Sequence, residues 1–251
     1  LDTADGWKDK NALSLGTETM DRNFEDIMGK QAPELKRKLL EPVYKSEAQR
    51  TKFLNTEREQ IKKLGIKAGS KESSLVQEYG EGNITAEQLK QQTANPEKII
   101  KASEFIRGKY DEYLGQLNKV LTRNGYEPIP KRSDYFHHFQ ELTGAFDLLG
   151  VSLKAQDLPT DINGLTADFK PGKTFFSAAL QRLGGGYTSD AIGGIDKYLE
   201  GASNQIYHTD NIQALRSFET ALREKFAGTN HLSNFVANLS EYTNGIAGKK
   251  S

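Results

Sequence analysis

The sequence contains no cysteine, and this absence excludes several classes of site together. Without thiols the chain cannot form disulfides, thiolate nucleophiles, zinc–cysteine sites or iron–sulfur clusters, and only 4 histidines are present for any other zinc site. No run of roughly 18 uncharged apolar residues occurs either, so the sequence predicts no membrane-spanning helix. The amino-terminal residues lack the basic and then apolar plan of a signal peptide. We therefore expect a soluble protein without membrane contact.

A net charge of either sign is also absent. The 251 residues include 34 Lys and Arg against 34 Asp and Glu, so the chain as a whole has no electrostatic attraction to nucleic acid or anionic lipid. Leu1 stands where an initiating methionine would stand, and we expect a chain that was cut from a longer precursor or trimmed. The length allows one large or two small domains.

Signals for helix starts and helix ends are abundant. Asn95-Pro96 is typical of a helix start with a capping side chain, and Asn124-Gly125 is typical of a helix end, so we predict a long helix over residues 96–124. Between these signals the apolar residues recur at three- and four-residue spacing. They are Ile99, Ala102, Ile106, Tyr110, Leu114, Leu117 and Leu121.

Other helices are predicted on both sides of this one. Thr85-Ala86-Glu87-Gln88 is a capping box that opens a short helix. Two helices that meet near Pro42 are predicted within residues 34–71. A further helix is predicted to begin at Thr209, and a last one to run from His231 to a stop at Asn244-Gly245.

Strand signals are few, and the predicted fold class is mainly α. β-branched residues rarely alternate with polar ones, although Leu158–Phe169 could hold one short β-hairpin. The glycines at 184–186 and Gly193-Gly194 are interpreted as a flexible turn between two short helices. Lys170-Pro171-Gly172-Lys173-Thr174 is interpreted mainly as an ordinary helix start capped by Thr174, because Pro171 removes an N–H donor that a phosphate-binding loop would need. No cofactor is predicted.

The composition changes near Glu127-Pro128-Ile129-Pro130. We predict a charged, helical bundle-like region over residues 1–127 and an aromatic- and glycine-rich, mostly helical region over residues 131–251. A proline restricts the residue before it, which suits a linker or a sharp reversal at this boundary.

The candidate nucleic-acid residues lie in residues 34–71, which contain 11 basic residues and 5 acids. They are Lys36, Arg37, Lys38, Lys62 and Lys63. Basic side chains on one helical face could follow a line of phosphates. However, few aromatic residues are interleaved, and Lys and Arg alternate with Glu as on a solvated helix. A solvated or protein-contact face is therefore the main interpretation, and nucleic-acid binding stays open.

The second candidate site contains histidines. Asp134, His137 and His208 would form an enzyme site if they converged in one pocket. Adjacent side chains point apart on a helix or a strand, so His137 and His138 are not expected to share a metal ion. Structural packing is the main interpretation of each histidine, and neither a catalytic residue nor a metal ligand is assigned.

A set of motifs resembles a recurring segment of large phage and prophage proteins, which include the multidomain polyvalent proteins encoded near portal and minor-head genes. The likeness spans roughly Thr19–Phe226. The motifs are Asn124-Gly125-Tyr126-Glu127-Pro128-Ile129, Arg132-Ser133-Asp134-Tyr135-Phe136-His137-His138-Phe139, Leu158-Pro159-Thr160, Phe169-Lys170-Pro171-Gly172-Lys173, Ala191-Ile192-Gly193-Gly194 and Ile206-Tyr207-His208-Thr209-Asp210-Asn211-Ile212. Within them, Arg132, Asp134, Tyr135, His137, His138, Tyr207 and His208 form a motif to which no role is assigned.

This resemblance implies a setting and no reaction. It implies a non-enzymatic, virion-associated structural or interaction module, packaged in the capsid and co-injected with DNA, and located in the virion or, after injection, in the host bacterial cytoplasm. The implied partners are other virion proteins, namely portal, capsid or internal proteins. DNA as a partner and homo-oligomerisation stay open.

Overall fold

The computed structural model describes residues 12–129, 189–225 and 230–247, and every regular element in these ranges is a helix. The chain is therefore mainly α, as the sequence predicted. The helices are α1 Ala12–Met28, α2 Ala32–Leu39, α3 Glu41–Lys62, α4 Lys71–Gly80, α5 Ala86–Gln92, α6 Pro96–Arg123, α7 Ala191–Lys225 and α8 Asn230–Ile246, with a short 3-10 turn at Gly29–Gln31. The predicted hairpin at Leu158–Phe169 and the glycines at 184–186 lie outside the described residues.

Helices α2 and α3 meet next to a proline, as predicted. The α2 helix ends at Leu39, and Pro42 lies in the first turn of α3. A proline is tolerated there because the first backbone N–H groups of a helix have no partner inside it. The intervening Leu40 donates its N–H to the Lys36 carbonyl at 2.9 Å and accepts from the Tyr44 N–H at 3.2 Å. The two helices thus follow each other without a loop.

Local hydrogen bonds fix the start of α5 and the end of α6. The Gln88 N–H donates to the Thr85 hydroxyl at 3.3 Å, and the Thr85 N–H donates to the Gln88 side chain at 2.8 Å. This reciprocal pair confirms the predicted capping box. At the end of α6, Gly125 adopts a left-handed φ of 79°, and the Tyr126 N–H donates to the Leu121 carbonyl at 2.9 Å. Glycine accepts this conformation without strain, which confirms the predicted helix end.

The described residues divide into two compact units. The terminal unit comprises residues 12–49, 207–225 and 230–247, and the central unit comprises residues 50–129 and 189–206. Helices α3 and α7 each contribute residues to both units. The predicted division into residues 1–127 and 131–251 groups the chain differently and stays a prediction.

The core of the terminal unit contains a cluster of three phenylalanines. Phe24 of α1 is fully buried; its ring stacks on Phe218 of α7 at 5.7 Å and meets the edge of Phe235 of α8 at 5.3 Å. Such ring pairs stabilise the fold by more than the burial of their apolar area alone would. The rest of this core consists of Met20, Leu35, Leu39, Leu40, Val43, Ile212, Leu215, Leu222, Val236, Leu239, Tyr242, Ile246 and Ala247.

The core of the central unit is built around α6. Its predicted apolar stripe is buried apart from Leu114, which is half-buried. Tyr113 was not predicted in this stripe, yet it is fully buried and stacks on Tyr198 of α7 at 6.0 Å. Tyr198 also receives the ring of Tyr110 at 4.9 Å in an edge-to-face arrangement. Three tyrosines therefore occupy the centre of this unit.

Two predictions about α7 were wrong. Gly193-Gly194 lies in the first turn of this helix and not in a flexible turn, and His208 lies inside the helix and not before its start. The error at His208 arises because several buried residues in the middle of α7 are polar, among them Ser203, Gln205 and Thr209. Helices are predicted from apolar residues at regular spacing, and this pattern is absent where the buried face of a helix carries polar residues.

A carboxylate and a hydroxyl fix the first turn of α7. Asp190 accepts hydrogen bonds from the Gly193 N–H at 3.1 Å and from the Ser73 hydroxyl of α4 at 2.6 Å. The same hydroxyl accepts from the Ile192 N–H at 2.9 Å. A Cβ at position 193 would lie 2.3 Å from the Asp190 carboxylate, so any larger residue would force this carboxylate to shift. Burial raises the pKa of Asp190, but these hydrogen bonds and one from the Gly69 N–H bring it below its ordinary value.

The carboxyl-terminal helix also differs slightly from its prediction. Helix α8 continues through Asn244-Gly245 to Ile246, whose side chain is almost completely buried. Burial of Ile246 in the core of the terminal unit explains why a glycine does not end this helix.

Candidate functional site

An open cleft in the central unit lies beside the amino end of α6. Its volume is about 580 Å³. The residues that line it are Leu64, Ala94, Asn95, Pro96, Glu97, Lys98, Lys101 and Ala102. Leu64, Ala94, Pro96 and Ala102 make its surface partly apolar, whereas the remaining lining residues are polar or charged. This combination is typical of clefts that hold a ligand or a partner's side chain.

Lys98 connects three chain segments at one end of this cleft. Its ammonium group donates to the Gly65 carbonyl at 3.0 Å and to the Glu72 carboxylate at 2.9 Å. Gly65 has a left-handed φ of 65° in the loop that follows α3, and Glu72 lies in the first turn of α4. The side chain of Lys98 therefore fixes the loop against α4 and leaves little of its own charge for a ligand.

Lys101, Glu97 and the amino end of α6 contribute the remaining charge of the cleft. Lys101 is exposed, and the contacts of the described residues give its ammonium no carboxylate partner. The prediction that the Asn95 side chain caps α6 was wrong, because it makes no capping hydrogen bond. The amino end of a helix carries partial positive charge. Glu97 also lines the cleft and is exposed, so its carboxylate offsets the charge of Lys101.

The predicted nucleic-acid residues on α2 are mostly paired with carboxylates. Lys36 contacts Asp21 at 2.8 Å and Glu25 at 2.5 Å. Its hydrogen bonds to Asp21 and Glu25 raise the pKa of Lys36, although burial acts in the opposite direction. Lys38 contacts Glu34 at 2.9 Å, one helical turn away. Two of the three predicted cations on this helix are thus neutralised within the fold.

The remaining predicted nucleic-acid residues are exposed. Arg37 lies on α2 in the terminal unit, whereas Lys62 and Lys63 lie at the end of α3 in the central unit. Lys62 is 78% exposed and contacts Glu59 at 3.8 Å, a separation at which an exposed ion pair contributes little. Lys63 directly precedes Leu64 of the cleft. The predicted residues therefore belong to two compact units, and none of them lines the cleft.

His208 is a packed residue of the terminal unit. It is 1% exposed, its Nε2 lies 2.8 Å from Glu47 Oε2, and its Nδ1 lies 3.4 Å from Asn211 Nδ2. In this arrangement Nε2 bonds to the Glu47 carboxylate and Nδ1 faces the Asn211 amide nitrogen. The neighbouring Tyr207 is half-buried, and its carbonyl accepts from Asn211 at 3.4 Å. Such bonding holds α3 and α7 together within this unit.

Arg132, Asp134, Tyr135, His137 and His138 lie outside the described residues. The hypothesis of an enzyme site at Asp134, His137 and His208 therefore stays a prediction. Among the described residues, no group of three or more His, Asp or Glu side chains could hold a metal ion.

Sequence analysis missed a buried charged group in the central unit. Glu57 of α3 is 6% exposed; its Oε2 accepts from the Tyr113 hydroxyl at 2.5 Å and lies 2.8 Å from the Lys109 ammonium. Burial and then the hydrogen bond to Glu57 raise the pKa of Tyr113. Burial lowers the pKa of Lys109, but its bonds to Glu57 and Glu112 outweigh this and raise it. No sequence spacing could reveal these contacts, because Glu57 and Tyr113 are 56 positions apart.

Comparisons with known proteins identify no protein that is similar to this chain. The chain matches no protein-family model, no curated protein sequence and no solved structure. Among the described residues, no helix is both long enough and apolar enough to span a membrane.

Proposed function

We propose that this chain is a non-enzymatic, virion-associated module of a phage or prophage that binds other virion proteins. The motifs that resemble large phage proteins suggest this setting. The observation that carries the non-enzymatic part is the bonding of the buried ionisable groups. Apart from tyrosines, Glu57 and His208 are the ionisable side chains buried among the described residues, and both are bonded inside the fold. Catalytic groups need access to a substrate, whereas groups bonded in this way stabilise a scaffold.

The proposed setting has a direct experimental test. Mass spectrometry of particles purified from the phage that encodes this sequence should detect its peptides, together with portal and capsid proteins. The same search should include any sequence continuous with Leu1 or Ser251. A phage protein that acts only inside the host serves as the control for contamination. Absence of the peptides from particles that yield every known minor head protein would contradict the proposal.

A second candidate function is nucleic-acid binding at the end of α3. The observation that favours it is the exposure of Lys62 and Lys63 beside a further exposed lysine, Lys67. If these side chains contact phosphates, Lys62→Gln with Lys63→Gln should weaken duplex binding and reduce the slope of log K against log salt by about 2, since each contact contributes about one unit. Lys36→Gln should change the slope less, because its charge is paired inside the fold. An unchanged slope in the double variant would remove this candidate.

A further inference from the structure

We propose that Asn124-Gly125, at the carboxyl end of α6, is a deamidation site that the fold keeps closed and that reacts when this helix end opens. An Asn-Gly pair favours the reaction, because glycine places no side chain beside the attacking nitrogen. The product is a permanent chemical record of opening in the central unit. This chemistry is independent of the setting proposed above.

The reaction needs water and no other reactant. The backbone nitrogen of Gly125 forms a bond to Cγ of Asn124 and gives up its proton, and the side-chain Nδ2 leaves as ammonia. The product of this step is a five-membered succinimide ring. Water then opens the ring at one of its two carbonyls and gives either aspartate or isoaspartate, in which the backbone runs through the former side chain. Each product has a carboxylate in place of the neutral amide.

The backbone conformation of Asn124 holds the reacting atoms apart. Its ψ is 7°, so the Gly125 nitrogen nearly eclipses the backbone nitrogen of Asn124 and lies away from Cβ. Ring closure requires the Gly125 nitrogen on the side of Cβ, because Cβ and Cγ are both members of the ring. The Cα–C bond of Asn124 therefore has to rotate before the new bond can form.

Hydrogen bonds at this helix end oppose the rotation. The Gly125 N–H, which carries the attacking nitrogen, donates to the Thr122 carbonyl at 3.0 Å. The leaving Nδ2 of Asn124 donates to the Val120 carbonyl at 2.9 Å. Both bonds fix the turn in its unreactive conformation, so the reaction requires local opening of the end of α6.

A second asparagine, Asn118, holds the chain beyond this turn. Its Nδ2 donates to the Ile129 carbonyl at 2.8 Å, and its Oδ1 accepts from the Ile129 N–H at 2.7 Å. Because prolines precede and follow Ile129, neither neighbour offers an N–H in its place. The turn at Asn124 is thus held on one side by α6 and on the other by the two bonds of Asn118.

The product does not restore the closed helix end. A carboxylate at position 124 has no N–H to donate to the Val120 carbonyl, and it adds negative charge where the end of a helix is already negative. An isoaspartate also lengthens the backbone by one carbon, which displaces the left-handed Gly125 from its place in the turn. Deamidation therefore makes later opening easier.

Peptide mapping of the full chain by mass spectrometry tests the proposal. The chain is incubated in mildly alkaline buffer, either folded or in guanidinium, and conversion of Asn124 to aspartate and isoaspartate is followed with time. We expect conversion to be at least about tenfold slower in the folded chain, because only its open fraction reacts. Asn118→Ala should raise the rate in the folded chain at least about fivefold, since two hydrogen bonds of usual strength are lost.

Two controls separate local opening from a general loss of stability. Asn55→Ala makes the same change at an exposed position of α3 in the same unit, and it should leave the rate at Asn124 unchanged within about twofold. Asn244-Gly245 lies inside α8 in the terminal unit, and its rate should not respond to Asn118→Ala. Circular dichroism should show native helix content in both variants.

Asn124→Asp tests the effect of the product on the helix end. Hydrogen exchange at the Tyr126 amide, which bonds to the Leu121 carbonyl, should be at least about twofold faster in this variant than in the unchanged chain. Unchanged exchange would mean that the helix end closes normally over a carboxylate, and it would overturn this part of the proposal.

Three outcomes of the peptide mapping would overturn the proposal as a whole. The first is equal conversion of Asn124 in the folded and the unfolded chain, and the second is an equal rate in Asn118→Ala and Asn55→Ala. The third is an acceleration at Asn244 as large as that at Asn124 in Asn118→Ala, because it would show unfolding of the whole chain in place of local opening.

Discussion

The two compact units contain aromatic clusters of similar geometry but different chemistry. In the terminal unit three phenylalanines meet at 5.3 and 5.7 Å, and in the central unit three tyrosines meet at 4.9 and 6.0 Å. A phenyl ring needs only apolar neighbours, whereas a buried hydroxyl needs a hydrogen-bond partner. Tyr113 obtains this partner from Glu57, and Glu57 in turn binds Lys109. A buried tyrosine hydroxyl in a helical core thus requires an acceptor, and the carboxylate that accepts requires a cation in turn.

The largest expected effect is loss of the Phe24 ring from the terminal unit. Phe24→Ala should lower the free energy of unfolding by about 4 kcal/mol, because it removes a fully buried ring and leaves a cavity. Guanidinium denaturation measures this as a lower midpoint with an unchanged slope. Phe24→Leu is the matched control and should cost less than half as much. Equal losses in both variants would contradict the ring-packing account.

Removal of the buried carboxylate should come next in size. Glu57→Leu should destabilise the protein by about 3 kcal/mol, because it leaves the Lys109 ammonium without its buried partner and the Tyr113 hydroxyl without its acceptor. Urea denaturation at neutral pH gives the value.

A triple variant tests whether that loss comes from the groups left unpaired or from removal of the polar cluster itself. Glu57→Leu combined with Lys109→Met and Tyr113→Phe converts this group into an apolar cluster like that of the terminal unit. It should recover at least about half of the lost stability, since apolar replacement of a whole buried ion pair is often neutral. A triple variant that is less stable than Glu57→Leu alone would mean that the polar group itself stabilises the core.

A smaller effect is expected at the start of α7. Gly193→Ala places a Cβ against Asp190 and should cost about 1 kcal/mol, the usual value of a lost helix cap. Gly115→Ala in α6 is the control, because nothing lies within 4 Å of its added Cβ. It should stabilise the protein by about 0.5–1 kcal/mol through helix propensity. Thermal unfolding should therefore shift upward for Gly115→Ala and clearly less for Gly193→Ala, because the helix-propensity gain at position 193 is offset by the contact with Asp190. An equal upward shift in both variants would reject the steric account.

Ionisation of the tyrosine cluster should have the smallest effect on stability at neutral pH. This effect grows at alkaline pH. Burial raises the pKa of Tyr110, Tyr113 and Tyr198 above the ordinary value of 10.0. A raised folded-state pKa gives stability that is complete below the unfolded-state pKa, so stability should fall as the pH rises above about 10. Absorbance at 295 nm should show these three phenolates only when the central unit unfolds. Their ionisation in the folded protein near pH 10 would contradict their burial.

The sequence predicted those parts of the fold that depend on local signals. The capping box at Thr85, the long helix α6 and the junction at Pro42 follow from residues within one or two helical turns, and all three were confirmed. Helix α7 was predicted as shorter pieces, because Ser203, Gln205 and His208 are polar yet buried, so that apolar spacing fails there. Helices α1 and α4 were not predicted, although Ser70 caps the start of α4 through its side chain.

The candidate site was predicted only in part. Lys62 and Lys63 were selected by charge and are exposed, but neither lines the cleft. Lys101 and Leu64 were not selected, because a cleft depends on how distant segments pack and not on the spacing of residue types. The same limit applies to Glu57 and its partners, which come from two helices far apart in the sequence.

Ser73 and Asp190 form a contact with consequences for the evolution of this chain. They are 117 positions apart, yet the Ser73 hydroxyl both donates to Asp190 and accepts from the first turn of α7. A substitution at Ser73 in the short helix α4 would therefore remove hydrogen bonds at the start of the 35-residue helix α7. Related sequences should retain these two residues together or exchange them together, even where the surrounding surface has diverged.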